Sequence, residues 1–399
     1  MSNDGTRIGG TWAVPGTSPS VPTGGFWSES TGLVVAEPFD ITFNAQFAMC
    51  ADADMRSFAG YLRESETDFS DEAALWRLGS DPQLLGTLGG IHPDAYSTEP
   101  YSLALAISAD GETVTGYSSS RLGVEAFVWD QQSGMHGLGS LDSSSGDLQI
   151  SVAWAVHQPS GEVYGYSRTE ESRQTLFRWT EEHGMEDLLP DFPFQTAQVF
   201  GASRNGSAMV GGVLDASGIQ SARPFVWSRE RGMNLVPLPE GLTIGAAVAA
   251  SDDGGAVLGV AGVDTGMDTE FVWMDHLGSM ELEDYAALIL REPLGPWFIY
   301  GPMAMSADGS RIAGFAQGTC VDADAVYGYP YTCFTNFIID LTPPCNGDWD
   351  VDDRLTFFDV YGYLTDYNTE HPAADLDRDG SIEPEDLFRF IDAFNAGCP

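Results

Sequence analysis

ALAISADGETVTGYSSSRLGVEAFVWDQQSGMHGLGSL, from Ala104 to Leu141, decides the fold. It divides into four short apolar runs, "ALAIS", "TVTGYS", "EAFVWD" and "MHGLGSL", with turns at Asp110-Gly111 and Ser133-Gly134. Asp-Gly and Ser-Gly between alternating apolar runs are hairpin signals, because glycine reaches the positive backbone angles that tight turns need. The stretch therefore predicts a four-stranded antiparallel meander.

Working outward, the third-run aromatics recur as Phe26-Trp27, Leu75-Trp76, Phe127 with Trp129, Phe177 with Trp179, Phe225 with Trp227 and Phe271 with Trp273. The six tryptophans are about 46 to 53 residues apart, the period of a propeller blade. A seventh copy begins at "AMSADGSRIAGF" (Ala304 to Phe315) and carries Phe337-Ile338-Ile339 in the tryptophan place. Such sheets have two apolar faces and must stack on neighbours. The expected fold is mainly β, a seven-bladed β-propeller over residues 1–340, with the aromatics of Phe127 to Trp273 buried between blades. "SNDGTRIGGTW" aligns with a turn and a second strand, so the first copy lacks its first strand; the last has no clear fourth.

"LLGTLGGIHPDAYSTEPYSLALAIS" (Leu84 to Ser108), with "GYS", "AFVW" and "GMHGLGSL", resembles the HAF family of bacterial extracellular repeats. The resemblance covers roughly residues 1 to 340 and implies a repeat scaffold on an exported protein, with no activity named. The histidine that often precedes Ala-Phe in that family is replaced by Glu125, by Thr175 and by Arg223-Pro224. A histidine-dependent site on those strands is excluded.

After a short connector at 341–344, residues 345–399 follow a different grammar. Counted from Asp375 as position 1, Asp377, Asp379, Gly380, Ser381 and Asp386 fall at 3, 5, 6, 7 and 12. "DWDVDDRLTFFD" repeats this with Asp348, Asp350, Asp352, Arg354 and Asp359 at 1, 3, 5, 7 and 12. These are calcium-loop positions: carboxylates at 1, 3, 5 and 12, and the backbone carbonyl of Arg354 or Ser381 at 7, give a hard cation its oxygens. Two Ca2+ sites are expected. Asp353 replaces the turn glycine in the first loop, which predicts the weaker site. Each loop runs into a helix; in the second, Leu387, Phe390, Ile391 and Phe394 have helical spacing. The bland alternative, an acidic helix cap, is weakened by the tandem.

Duplicated loop-helix segments without an entering helix resemble type I dockerin modules, and "PPCNGDWD" with "FNAGCP" looks like the cysteine-bracketed tails of exported planctomycete-type proteins. The resemblance implies a cohesin-like or surface-anchoring partner, selected by Phe357 and Phe358 in one half and by Pro384 and Glu385 in the other. Because these differ, the halves are not expected to dock interchangeably.

Cysteines at element boundaries suggest two bridges, Cys320 to Cys333 and Cys345 to Cys398, with Cys50 left over. Bridges point to an oxidising compartment, whereas Met1 opens without a signal region; an export segment ahead of Met1 would reconcile the two. The 59 acids face 17 bases, all arginine, for a net charge of -42. That charge repels phosphate and anionic lipid, so neither nucleic-acid binding nor membrane insertion is expected.

The six histidines are scattered, and HExxH, GxSxG and P-loop patterns are absent from the sequence. The repeated "SADG" does not match a sialidase Asp box. Loop aromatics in two insertions, Trp297, Phe298 and Tyr300 within 282–301 and Tyr327, Tyr329 and Tyr331 within the Cys320 to Cys333 loop, are candidates for a polysaccharide or protein ligand. A non-catalytic, extracellular or cell-surface binding propeller is the first reading; a propeller glycoside hydrolase or lyase carried by the same tail is the alternative.

Overall fold

The computed structural model describes residues 1–2, 5–13, 22–38, 45–63, 71–92, 99–142, 148–158, 160–191, 193–215, 222–264, 266–288, 290, 298–321, 330–341, 345–349, 354–376 and 381–397. Their strands fall into seven consecutive units. Unit one is β1 (Arg7–Ala13), β2 (Pro22–Ser28) and β3 (Gly32–Val35). Unit two is β4 (Ala45–Ala51), β5 (Ser57–Arg63), β6 (Asp71–Arg77) and β7 (Gln83–Gly86). Unit three, the opening stretch, is β8 (Ser102–Ile107), β9 (Thr113–Ser119), β10 (Gly123–Asp130) and β11 (Gly134–Gly137). Unit four is β12 (Gln149–His157), β13 (Glu162–Arg168), β14 (Gln174–Thr180) and β15 (Gly184–Asp187). Unit five is β16 (Thr196–Ala202), β17 (Ala208–Leu214), β18 (Arg223–Ser228) and β19 (Gly232–Leu235). Unit six is β20 (Ile244–Ala250), β21 (Ala256–Gly262), β22 (Thr269–Met274) and β23 (Gly278–Glu281). Helix α1 (Leu282–Leu288) leads to unit seven, β24 (Phe298–Met305), β25 (Arg311–Val321) and β26 (Pro330–Asp340).

Within each unit, neighbouring strands pair antiparallel in chain order, and Gly111 and Gly134 take the turn angles at φ +77° and +74°. The chain is mainly β. Units one and seven have three strands each among the described residues, as the incomplete first and last copies predict. The units are not all separate sheets, however. β8 to β19 form one twelve-stranded ladder, because β10 pairs parallel with β12 at two positions and β14 with β16 at one. Gly123, at φ +132°, makes the first junction: a Cβ there would lie 2.4 Å from the Gln149 carbonyl oxygen.

Each of the six junctions between consecutive units holds its own apolar layer. Between units two and three, Ala59, Leu75 and Leu85 meet Ile107, Phe127 and Trp129; between four and five, Tyr164 and Leu176 meet Val199, Phe225 and Trp227. A fully buried side chain of this size contributes roughly 1.5–3 kcal/mol, so stability is spread along the stack. Phe127, Phe177, Phe225, Phe271, Trp129 and Trp227 are buried as expected. Trp179 and Trp273 are only half-buried, and Trp27 is exposed at 37%. For Trp27 the reason is a cleft of about 980 Å3 between unit one and unit seven, into which it faces.

The expected insertion at 282–301 is also corrected at its two ends. Leu282, Tyr285 and Ala286 of α1 are buried in the layer between units six and seven, and Phe298 opens β24. The Tyr285 hydroxyl donates to the Leu341 carbonyl at 2.6 Å. The supposed long loop of the last copy is, at its base, a hairpin: β25 and β26 stay paired out to Val321 opposite Pro330.

Candidate metal centre and docking face

The tail contains helices α2 (Phe357–Asn368) and α3 (Pro384–Ala396). Both begin in the same way. Asp359 is buried and accepts backbone N–H bonds from Trp349 at 2.7 Å and Thr356 at 2.6 Å. Asp386 is buried and accepts from Leu376 at 2.7 Å and Glu383 at 2.9 Å. In loop numbering these donors are positions 2 and 9 in both halves, so the position-12 carboxylate pins each loop onto its helix. Thr356 and Glu383 complete capping boxes with the same two aspartates. The helix-capping role of these two carboxylates is thus in place.

Asp348 is buried, Asp375 half-buried, and Arg354 and Ser381 are exposed. Asp350, Asp352, Asp377 and Asp379 lie outside the described residues, as does the first-loop Asp353. Among the described residues no group of three or more His, Cys, Asp or Glu side chains is placed to hold a metal ion.

The helices pack through equivalent residues. Tyr363 and Phe390, each four past its position-12 aspartate, stack at 4.1 Å with their planes 1° apart. Trp349 stands edge-on to both and donates its indole N–H to Asp366 at 2.9 Å. The sequence reading overlooked Trp349, which occupies loop position 2, where side chains are not ligands. Leu387 and Phe394 join this core, whereas Ile391 is exposed.

Outside the core the equivalence continues: Tyr361 is exposed at 63% and its counterpart Phe388 at 61%, and Leu364 and Ile391 are both exposed. Phe357 and Phe358 are exposed at 73% and 69%. Their counterparts Pro384 and Glu385 are also at the surface. The α2 side therefore carries four exposed apolar residues within eight positions, a larger patch than α3 presents. Solvent-exposed adjacent phenylalanines are costly unless something covers them.

Cys345 is disulfide-bonded. Its expected partner Cys398 lies outside the described residues. Cys320 stands opposite Tyr331 and Cys333 opposite Gly318 in the β25–β26 hairpin, two ladder positions apart. Cys50 is a free thiol, and burial pushes its pKa up to about 12. Of the candidate ligand aromatics, Phe298 and Tyr300 fall on β24 and Tyr331 on β26, while Trp297, Tyr327 and Tyr329 lie outside the described residues. The described backbone puts three of the six on one sheet.

A second polar cluster carried no sequence signal, because its members come from three strands, β12, β13 and β14, and from the turns after β12 and β18. Glu162, at the start of β13, is buried against Arg229 at 2.6 Å and Arg178 at 3.7 Å, and accepts from Ser160 at 2.7 Å and Tyr164 at 3.1 Å. Burial opposes its ionisation, but these hydrogen bonds and the two guanidiniums win and hold the carboxyl below the usual range. His157 Nδ1 lies 2.8 Å from Ser160 Oγ, and burial with the nearby Arg229 lowers the imidazole pKa. Such a satisfied carboxylate ties unit four to unit five and is poorly suited to proton transfer.

No protein-family model matches the chain, and no curated protein does. Distant likenesses exist among solved structures. TolB from Acinetobacter baumannii is 14% identical with a TM-score of 0.43, over 69% of this chain and 63% of TolB. An oligogalacturonate lyase in complex with manganese is 10% identical with a TM-score of 0.47, over 84% and 87% of the two chains. A prolyl endopeptidase is 11% identical with a TM-score of 0.47, over 84% of this chain and 45% of its own. This chain thus spans less than two thirds of TolB and under half of the peptidase. At that distance no site or substrate transfers. Among the described residues no helix is long and apolar enough to cross a membrane.

Proposed function

We propose that the chain is an exported, non-catalytic seven-bladed β-propeller of the HAF-repeat kind, docked to a cohesin-like or surface-anchoring protein through a calcium-dependent dockerin-like tail. The ring face would bind a glycan or a protein. One observation carries the docking part: two loop-helix segments whose position-12 carboxylates, Asp359 and Asp386, receive matching backbone bonds at positions 2 and 9. Equivalent residues of the two helices stack, and the disulfide at Cys345 supports a bracketed tail. The exposed Phe357, Phe358, Tyr361 and Leu364 are the face offered to the partner.

Two Ca2+ ions would be held by Asp348, Asp350, Asp352 and Asp359 with the Arg354 carbonyl, and by Asp375, Asp377, Asp379 and Asp386 with the Ser381 carbonyl. An unfolded tail cannot gather these oxygens, so metal binding becomes folding free energy. Free calcium at 100 times the dissociation constant adds about 2.7 kcal/mol per site. Titration calorimetry of the 399-residue chain with calcium chloride is expected to give two ions per chain, with Asp352→Ala and Asp379→Ala each removing one. Fewer than one ion per chain overturns the reading.

A further inference from the structure

In units two to six the second strand approaches the first at a glycine. A Cβ on Gly60, Gly116, Gly165, Gly211 or Gly259 would lie 1.8 to 2.6 Å from a carbonyl oxygen of the first strand. The residue after that glycine tells the units apart. It is Tyr61, Tyr117 and Tyr166 in units two, three and four, but Gly212 in unit five and Val260 in unit six. The ladder pairs in the same way around Gly212 and Val260 as around the tyrosines. Three phenols in consecutive units are therefore not a requirement of the fold.

These tyrosines share one edge of their units. Tyr61 stands opposite Phe47, Tyr117 opposite Leu103 and Tyr166 opposite Val152, all within the first four residues of β4, β8 and β12. β8 packs against both β4 and β12, which brings the three positions side by side. Tyr61 stacks on Phe47 with ring centroids 4.9 Å apart. Tyr101, just ahead of β8, stands edge-on to Tyr117 at 6.3 Å.

Burial pushes the Tyr117 pKa up to about 12, and Tyr101, Tyr166, Asp71 and Tyr61 add to the rise, so phenols of three consecutive units lie within electrostatic reach of one ring. Burial also raises Tyr61, Tyr101 and Tyr166, which keeps all four hydroxyls protonated at neutral pH. Elsewhere the fold uses its phenols: Tyr164 donates to Glu162 and Tyr285 to the Leu341 carbonyl. Among the described residues the hydroxyls of Tyr61, Tyr101, Tyr117 and Tyr166 have no such acceptor.

We propose that Tyr61, Tyr101, Tyr117 and Tyr166 form one platform, running across units two to four, for a single chain of uncharged pyranose sugars. The inference deepens the glycan reading of the ring face and rests on it. Phenol rings offer an apolar face to the C–H face of a pyranose, and their hydroxyls can both donate to and accept from its hydroxyls. Tyrosine supplies that area at a small entropic cost, because it has only two rotatable angles. All four rings are partly buried, which suits a narrow chain better than a flat protein surface. Charge decides between sugars. Arg63, whose guanidinium lies over the Tyr61 ring, is held by both oxygens of Asp71 at 2.7 and 2.8 Å and is not offered to a uronate or a sulfate. The net charge of -42 repels polyanions from the whole surface.

Retention of the 399-residue chain on immobilised polysaccharides tests it, with cellulose, mannan and starch as the neutral members and polygalacturonate and dextran sulfate as the anionic ones. Retention on at least one neutral chain and on neither anionic one is expected. The hexasaccharide of the retained sugar should slow hydrogen exchange in β5, β9 and β13 and leave the tail unchanged. Tyr117→Val and Tyr166→Val, which introduce the residue that unit six already carries, should each weaken its binding at least about tenfold, and Tyr117→Phe should fall between parent and Tyr117→Val. Where a valine variant melts below the parent, Tyr117→Phe and the exchange footprint decide. No retention on a neutral chain, retention on anionic chains alone, a footprint confined to units five to seven, or parent-like affinity in both valine variants overturns the proposal. A ring that takes a protein and no glycan overturns it too, and leaves the binding-propeller reading standing. Shortening of the retained sugar chain supports the platform and overturns the non-catalytic reading instead. Chelating calcium should leave retention unchanged, so failure of the tail reading shows separately.

Discussion

Ser251 closes the turn between β20 and β21 with one hydroxyl. Its Oγ accepts the Ala256 N–H at 2.9 Å and donates to Asp253 Oδ1 at 2.7 Å, which in turn accepts the Gly255 N–H at 2.9 Å. Ser108 with Asp110 and Ser306 with Asp308 repeat the arrangement. Burial works against each of these aspartates, but the bonds they accept keep their pKa values below the usual range. Ser251→Ala leaves a buried amide without its acceptor, so urea unfolding should show a loss of about 1–3 kcal/mol. An unchanged midpoint would mean that water or a shifted loop replaces the hydroxyl. The turn itself was legible in "SADG", because Asp-Gly is a local signal. The serine's part was not, since its bond reaches five residues ahead and looks like nothing in a turn signature.

Between elements, the Glu162 cluster joins β13, β14 and the turn after β18, and its titration has a definite sign. Glu162 has a lowered pKa in the fold, so its contribution is present above about pH 4.5 and is lost as pH falls through the folded value. His157 is lowered from 6.5, so the unfolded chain takes up that proton first and stability also declines as pH drops below about 6.5. Unfolding midpoints measured from pH 7.5 down to about 2.5 should fall in two stages. Glu162→Gln should flatten the lower stage and His157→Asn the upper; parallel profiles for parent and variants would remove the assignment. Helices α2 and α3 were legible from their spacing, but the buried stripe was drawn too wide. A pair of helices buries a narrower face than a domain core does. Ile391 therefore faces out while Phe390 meets Tyr363.

At the scale of the molecule, 59 acids against 17 arginines leave self-repulsion as a standing cost. Raising sodium chloride from about 20 to 200 mM shortens the Debye length to below about 10 Å and should raise the melting temperature. A melting point indifferent to salt would place the acids too far apart to matter. The tryptophan period made the seven units legible, because each needs one large side chain at the same place in its stack. The continuous ladder from β8 to β19 was not, since it hangs on three parallel pairs and the backbone of Gly123. Helix α1 escaped notice because seven residues are too few for a helical period to stand out from an insertion.

Leu341 has a consequence for how the chain bears load. It is buried, its N–H donates to Ser310 O at 2.6 Å, and its carbonyl accepts from Tyr285. A tail held by a partner would pull on β26 from its Asp340 end, the direction in which a hairpin peels one rung at a time. Leu341 lies just ahead of the first rung, where Asp340 faces Arg311. Tension arriving from such a tether would therefore meet a buried latch before any rung opened, so peeling of this hairpin is guarded at the point where it would begin.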